Sequence, residues 1–239
     1  MLKKKLAVLA ATGLIASCVG AETTVEANIR KALEPRLNGA KIEAIKETPY
    51  AGLYEVRVGG DILYTDKKGE YLVIGHVYDV KTSTDLTRAR IDDINKISFS
   101  DLPLDLAIKQ VKGDGKRVIA VFEDPNCGYC KRLRQTTLKN LDNVTIYTFL
   151  YNILSEDSVT KSKNIWCSAD RGKAWDEWMI NGKQAPAAPA DCQTPNDKVM
   201  ALGQKLRIQG TPAIFFTDGS RIPGAVDLKT MEAKLSAIK

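Results

Sequence analysis

The chain has 239 residues, and its hydrophobic fraction of 44% is enough for one large domain or two small ones with a real core. The formal net charge of +6 includes three lysines among the first five residues, and without them the rest of the chain carries +3. Acidic and basic residues are interspersed along that remainder, which argues against a nucleic-acid-binding protein and indicates an ordinary solvated surface.

Residues 1–21 have the pattern of an export signal peptide. Three lysines precede an apolar run from Leu6 to Ile15, and small residues lead up to Ala21. The run is too short to span a bilayer, so we expect a soluble protein outside the reducing cytosol. A lipoprotein signal, in which Cys18 becomes the acylated first residue, is the alternative. Cleavage after Ala21 is favoured because it leaves four cysteines, an even number.

Residues 22–81 predict a small α+β domain. Val25–Leu33 has the spacing of a short helix that ends before Pro35. Four runs with a two-residue period follow and predict a meander of strands: Ile42–Ile45, Leu53–Val58, Ile62–Thr65 and Tyr71–Val77. About sixty residues is small for a stable monomer, and a meander leaves edge strands open, so we expect this domain to form a homodimer. His76 is assigned no role, because a lone histidine is more often a packing or surface residue.

Residues 82–112 predict a linker helix between two domains. Asp85–Ile97 has mixed helical spacing with Thr84 available as a cap, and Leu102–Val111 would continue the helix after a break. A helix packed on either domain is the alternative.

Residues 113–239 predict an α/β domain of the thioredoxin-like type. The predicted order is strand, turn, helix, strand, helical insertion, strand with hairpin, and a last helix: Val118–Phe122, Asp124–Asn126, Lys131–Leu141, Val144–Phe149, 155–206, 210–219 and Leu228–Ile238. The first two strands should be parallel, with a right-handed crossover through the helix.

Cys127 and Cys130 form a C-x-x-C pair directly after the first of these strands. The order strand, turn, helix places Cys127 at a helix N-terminus, where unpaired N–H groups and the helix dipole favour a thiolate. Lys131, Arg132 and Arg134 add positive charge, so the pKa of Cys127 should lie below the usual 8.5 or so. We therefore predict that Cys127 attacks disulfides and that Cys130 resolves the mixed disulfide.

A C-x-x-C pair can also be half of a zinc site or a structural pair. Zinc would need a second pair or histidines at ligand spacing, and the chain has one histidine and no second C-x-x-C. We expect dithiol chemistry without a metal or any other cofactor.

Cys167 and Cys192 lie 25 positions apart in the insertion. In an oxidising compartment we expect them to form a structural disulfide that contributes about 3 kcal/mol to stability. Two free buried thiols are the alternative.

The chain resembles the bacterial periplasmic disulfide isomerases of the DsbC and DsbG family over its whole mature length. The matching residues are Phe122, Cys127-Gly128-Tyr129-Cys130, Trp166-Cys167, Cys192 and Gly210-Thr211-Pro212-Ala213. The Gly-Tyr centre is similar to the isomerase branch, DsbC, whereas the scavenging branch usually carries Pro-Tyr. The resemblance implies a dimerisation domain, a linker helix and a thioredoxin-like catalytic domain.

The resemblance also implies the function and partners. It implies a periplasmic protein that reduces and isomerises wrong disulfides in secreted proteins, and whose thiols are kept reduced by a membrane reductase of the DsbD type. Pro212 would be cis and face the two cysteines, and Thr211 would bind an extended substrate segment beside Gly128 and Tyr129. Two other functions stay open: a scavenger that reduces sulfenic acids, and a dimeric chaperone or binding module.

The sequence leaves two roles open for Glu123. Many thioredoxins carry a buried aspartate six residues before the first cysteine, and this chain has Val121 there. Glu123 is the nearest carboxylate in the strand. It is either a proton shuttle for Cys130 or, as we favour, a solvated or salt-bridged turn residue.

Overall fold

In the computed structural model, which describes residues 23–238, the chain separates into one unit that ends at Gly75 and a second that begins at His76. The predicted signal peptide, with Cys18, lies outside the described residues.

The first unit consists of one helix and a four-stranded antiparallel sheet. Helix α1 spans Thr24–Leu33, and Thr23 begins it in a capping box with Glu26. The strands lie in the order β1-β2-β3-β4 and span Ile42–Glu47, Tyr54–Val58, Asp61–Thr65 and Leu72–Val73. The helix buries Ile29 and Leu33 against the sheet, as its apolar spacing predicts.

The last predicted strand, Tyr71–Val77, is much shorter in the structure. Only Leu72–Val73 pairs, with Tyr64–Thr65 of β3, and it forms an edge of the sheet. The apolar residues around it are largely exposed: Tyr71 at 72%, Leu72 at 42%, Val73 at 46% and Ile74 at 78%. A period of two shows which residues suit a pleated surface, but a strand forms only where a neighbouring strand accepts its hydrogen bonds.

The second unit begins with a small hairpin and a short helix. Strands β5 and β6, Tyr78–Asp79 and Thr84–Asp85, lead into α2, Leu86–Ile94, which is capped by Asp85 instead of Thr84. The prediction that a helix continues over Leu102–Val111 is wrong. Two 3-10 turns, Phe99–Asp101 and Leu104–Leu106, lead into β7, Ile108–Lys112.

The residues of this segment explain why it does not continue the helix. Leu102, Leu104, Leu106 and Ile108 recur at every second position, which is the period of extended chain, and Pro103 interrupts any helix.

The main sheet has five strands in the order β11-β10-β8-β9-β7. Central β8, Arg117–Glu123, is parallel to β9, Val144–Leu150, as predicted. The outer strands β7, β10 (Ala213–Phe216) and β11 (Arg221–Pro223) pair antiparallel with their neighbours.

Helices cover this sheet. Helix α3, Gly128–Thr136, makes the crossover from β8 to β9, and α7, Leu228–Ala237, ends the chain. The insertion provides three helices: α4 (Glu156–Trp166), α5 (Arg171–Asn181) and α6 (Asn196–Lys205).

Alternate residues of β8 face separate cores. Val121 packs with Leu133 of α3 and Met231 of α7. Phe122 lies in the other core, where its ring stacks on that of Phe149 at 4.5 Å between centroids. No helix among residues 23–238 is both long enough and apolar enough to cross a lipid bilayer.

Candidate active site

The turn between β8 and α3 is held by Asp124, whose side chain is fully buried. One carboxylate oxygen accepts hydrogen bonds from the Asn126 N–H and the Ser158 hydroxyl, both at 2.8 Å, and the other accepts from the Leu154 N–H at 3.0 Å. The Cys127 N–H donates to the Asp124 carbonyl at 3.0 Å. These bonds end the strand and place Cys127 as the cap of α3, where the sequence predicts it.

The Cys127 sulfur lies at the N-terminus of α3. It accepts the Cys130 backbone N–H at 3.2 Å and lies 3.3 Å from the Thr211 carbonyl oxygen. The pKa of Cys127 is lowered to about 6, and the largest cause is the hydrogen bond from the Cys130 side chain. Hydrogen bonds with Thr211 and with the backbone N–H groups of Cys130 and Tyr129 lower it further. At neutral pH this sulfur is therefore mainly a thiolate.

Cys130 has the opposite environment. Its side chain is fully buried, and burial raises the pKa of its thiol, as do the hydrogen bond to Cys127 and the negative charge of Glu123. Two thiols three residues apart thus differ strongly in acidity. Such a pair can attack a disulfide with one sulfur and keep the other protonated until it is needed.

The predicted substrate-binding residues lie beside this pair. Tyr129 is 67% exposed and Gly128 is also exposed. The Thr211–Pro212 peptide is cis, and the Thr211 carbonyl contacts the Cys127 sulfur. The fold therefore brings both ends of the predicted site together across 84 positions of sequence.

Cys167 and Cys192 are joined in a disulfide. Cys167 caps the C-terminus of α4, and Cys192 precedes α6. No group of three or more His, Cys, Asp or Glu side chains among residues 23–238 is placed to hold a metal ion.

Two family profiles match the chain. A thioredoxin-like domain matches residues 104–239, and a disulfide bond isomerase N-terminal domain matches residues 20–88. The probable thiol:disulfide interchange protein DsbC of Bordetella pertussis is 49% identical over 207 residues, which are 87% of this chain and 73% of that protein. The thiol:disulfide interchange protein DsbC of Escherichia coli K12 is 31% identical over 200 residues, 81% of each chain.

The chain belongs to the DsbC family of disulfide isomerases. Like other members of this family, it is a thiol-disulfide oxidoreductase with an N-terminal α+β domain and a thioredoxin-like domain. Among solved structures, a disulfide interchange protein from Neisseria gonorrhoeae is similar at a TM-score of 0.54 and 36% identity. The match covers 57% of this chain and 97% of that one.

Glu123 acts on the DsbC-type thiol pair through its negative charge, which raises the pKa of Cys130. It is the last residue of β8 and fully buried, so the prediction of a solvated residue is wrong and that of a salt-bridged residue is confirmed. Arg134, also buried, donates to one Glu123 oxygen from Nη2 at 2.7 Å and from Nε at 2.9 Å. Burial raises the pKa of Glu123, and the charge and hydrogen bonds of Arg134 oppose this rise.

The cations of α3 act differently from the sequence prediction. Arg134 is engaged by Glu123 and, at 3.3 Å, by Asp176, and Lys131 lies over the Trp178 ring at 4.4 Å. The largest causes that lower the pKa of Cys127 are hydrogen bonds from Cys130, Thr211 and Tyr129. The signal for Arg134 was its spacing of four from Cys130, which puts both on one helix face.

Trp178 is a further residue that sequence reasoning did not single out. It lies in α5 of the insertion, is 8% exposed, and packs in the same cluster as Cys127 and Cys130. Its indole N–H donates to the Pro125 carbonyl at 2.7 Å.

Proposed function

We propose that the protein uses reduced Cys127 and Cys130 to reduce and isomerise incorrect disulfides in exported proteins. The observation that carries the proposal is the difference between the two thiols. Cys127, with a pKa of about 6, is a thiolate at a helix start, whereas burial keeps Cys130 protonated.

The reaction begins when the Cys127 thiolate attacks one sulfur of a substrate disulfide. A mixed disulfide forms and one substrate thiolate leaves. If a different substrate thiolate then attacks the substrate sulfur of the mixed disulfide, the bond to Cys127 breaks, Cys127 leaves as a thiolate, and the substrate has a new disulfide without net oxidation. If Cys130 loses its proton and attacks Cys127 instead, the substrate leaves as a dithiol and the enzyme keeps a Cys127–Cys130 disulfide.

Gly128, Tyr129, Thr211 and Pro212 are proposed to hold the substrate segment. Their support is position: the exposed Tyr129 ring adjoins the thiol pair, and Thr211 contacts the Cys127 sulfur. An extended segment laid beside residues 211–212 would bring its disulfide to the attacking sulfur.

We also propose a homodimer formed through the N-terminal domain. The exposed apolar residues Tyr71, Leu72, Val73 and Ile74 surround an edge strand, a surface that usually pairs with a partner. Two copies would offer two thiol pairs to one substrate, which raises the effective concentration of the second site. Sedimentation of the mature protein should show a dimer, and Val73→Lys should weaken it; a monomeric wild type would contradict the proposal.

The remaining parts of the proposal concern location and electrons. Export to the periplasm would follow from the signal pattern of residues 1–21. Reduced thiols in an oxidising compartment need an electron donor, for which a membrane reductase of the DsbD type is proposed.

We further propose that the catalytic domain consists of residues 113–239 together with β7. That strand is included because it pairs with β9 of the main sheet.

Refolding of a scrambled multi-disulfide protein tests the function. Cys127→Ala should lower isomerase activity at least about a thousandfold, because its thiolate makes the first bond. Cys130→Ala should retain part of the activity and accumulate mixed disulfides. Full activity of Cys127→Ala would overturn the assignment. Aggregation suppression without thiol dependence would instead indicate a chaperone, and preferential reduction of sulfenic acids a scavenger.

A further inference from the structure

The helical insertion contacts the turn that carries the attacking cysteine. From α4, Ser158 donates to Asp124, and Lys161 donates to the Asn126 side-chain oxygen at 2.9 Å. From α5, the Trp178 indole reaches the Pro125 carbonyl. The insertion thus does more than enlarge the domain, because it touches all three residues that precede Cys127.

The peptide between Pro125 and Asn126 is held at both of its polar ends. Its carbonyl oxygen accepts the Trp178 N–H at 2.7 Å, and its N–H donates to Asp124 at 2.8 Å. A peptide unit fixed at both ends cannot rotate without breaking a buried hydrogen bond. Because Cys127 is the next residue, the orientation of this peptide sets where its sulfur lies relative to the N–H groups of α3.

Two cations hold the indole in place. The ammonium groups of Lys131 and Lys161 lie over the Trp178 ring, 4.4 and 4.5 Å from its centroid. Lys131 belongs to the helix that Cys127 caps, and Lys161 also bonds Asn126 of the turn. The ring is therefore connected to the thiol-bearing segment by three contacts: its N–H and the two cations.

We propose that Trp178 is a positioning residue for the Cys127 thiolate. By fixing the Pro125 carbonyl through its indole N–H, it keeps the Cys127 sulfur within reach of the Cys130 N–H, 3.2 Å away. The inference rests on the proposed role of Cys127 as the attacking sulfur. It assigns the insertion a part in setting the acidity of that sulfur.

Trp178→Phe tests the proposal because it removes the N–H donor and keeps an apolar ring. The pH profile of Cys127 alkylation, measured on the full mature protein in its reduced form, should shift upward by about half a pH unit. Alkylation at pH 6 should then be about twofold slower, whereas alkylation at pH 9, where the thiol is ionised in both proteins, should be unchanged.

Trp166→Phe is the matched control. Trp166 is 7% exposed, lies in the same insertion and also carries a cation over its ring, Arg171 at 3.9 Å. Among the described residues, Trp166 makes no hydrogen bond to the turn that precedes Cys127. Its replacement should therefore lower the melting temperature without moving the alkylation profile. A purely structural role of Trp178 predicts the same result for both variants, and that result would overturn the proposal.

The wild-type protein supplies a measurement that needs no variant to fold. The NMR signal of the Trp178 indole N–H should move with pH at the same midpoint as Cys127 alkylation, and that of Trp166 should not. A Trp178 signal that does not respond at this midpoint counts against the proposal. The proposed function fails separately: an ordinary pKa near 8.5 for wild-type Cys127 would overturn it, whatever Trp178 does.

Discussion

The two cysteine pairs of the second unit differ in the backbone that holds them. Cys127 caps the N-terminus of α3, where backbone N–H groups point at its sulfur, and Cys130 follows within the same turn. Cys167 caps the C-terminus of α4, where carbonyl groups and the negative end of the helix dipole disfavour a thiolate, and it is bonded to Cys192. The position of a cysteine on a helix thus separates a thiol suited to exchange from one suited to a permanent link.

The largest expected effect tests the acidity of the first pair directly. Near pH 7 Cys127 should be alkylated at least about a hundredfold faster than Cys130, because one sulfur is a thiolate and the other is a buried thiol. Mass spectrometry of peptides from the reduced protein after timed exposure to iodoacetamide measures both rates. Equal rates would remove the distinction on which the comparison rests.

The same acidity predicts how stability depends on pH. The pKa of Cys127 is lower in the folded protein, about 6, than in the unfolded chain, about 8.5. Ionisation therefore adds stability that is fully present above the unfolded value and is lost as the pH falls through about 6. Between pH 8.5 and pH 6 the reduced wild type should lose melting temperature relative to Cys127→Ser, which cannot ionise.

Much of this site could be predicted from sequence because its signals are local. The apolar run of β8, the turn at Asp124 and the spacing of the two cysteines lie within fourteen consecutive residues, 117–130, and they predicted the helix start correctly. The strand and helix periods predicted the order of the remaining elements of the thioredoxin-like domain. The strand–helix–strand order predicted the parallel pairing of β8 with β9.

The parts that sequence reasoning missed depend on distant residues. Whether Glu123 is solvated is decided by Arg134 and by the helices that cover them, and Trp178 reaches Pro125 across 53 positions. The strand β7 was missed for another reason: Ile108 and Val111 are three positions apart, which also fits a helix, and this spacing was given more weight than Pro103 and the alternation before Ile108.

A smaller effect is expected at the second pair. Replacing both Cys167 and Cys192 by Ala should reduce the free energy of unfolding by about 3 kcal/mol, because the link closes a loop of 25 positions. Thiol exchange in the folded protein should persist, since neither sulfur is free to react. Thermal unfolding and a simple disulfide-reduction assay measure the two results. Loss of exchange activity below the melting transition would show that the link also shapes the active site.

The smallest expected effect concerns the ion pair of Glu123 with Arg134. Glu123→Gln keeps an oxygen that can accept both Arg134 hydrogen bonds but removes the charge, so the buried guanidinium is left with the half-exposed Asp176 as its carboxylate partner. We expect a loss of about 1–3 kcal/mol in the free energy of unfolding. Asp176→Asn is the matched control on the other partner of Arg134 and should cost less, because its side chain is 37% exposed.

The same variant separates the two roles that the sequence left open for Glu123. Its negative charge raises the pKa of Cys130, so a purely structural ion pair predicts that Glu123→Gln lowers this pKa and speeds alkylation of Cys130 at high pH. We expect that outcome, because Arg134 binds Glu123 through two hydrogen bonds to one oxygen. If Glu123 instead accepts the Cys130 proton during catalysis, Glu123→Gln should slow the attack of Cys130 on the mixed disulfide. Mixed disulfides would then accumulate. Quantifying mixed disulfides during refolding, with Asp176→Asn run alongside, decides between an anchor for Arg134 and a base for Cys130.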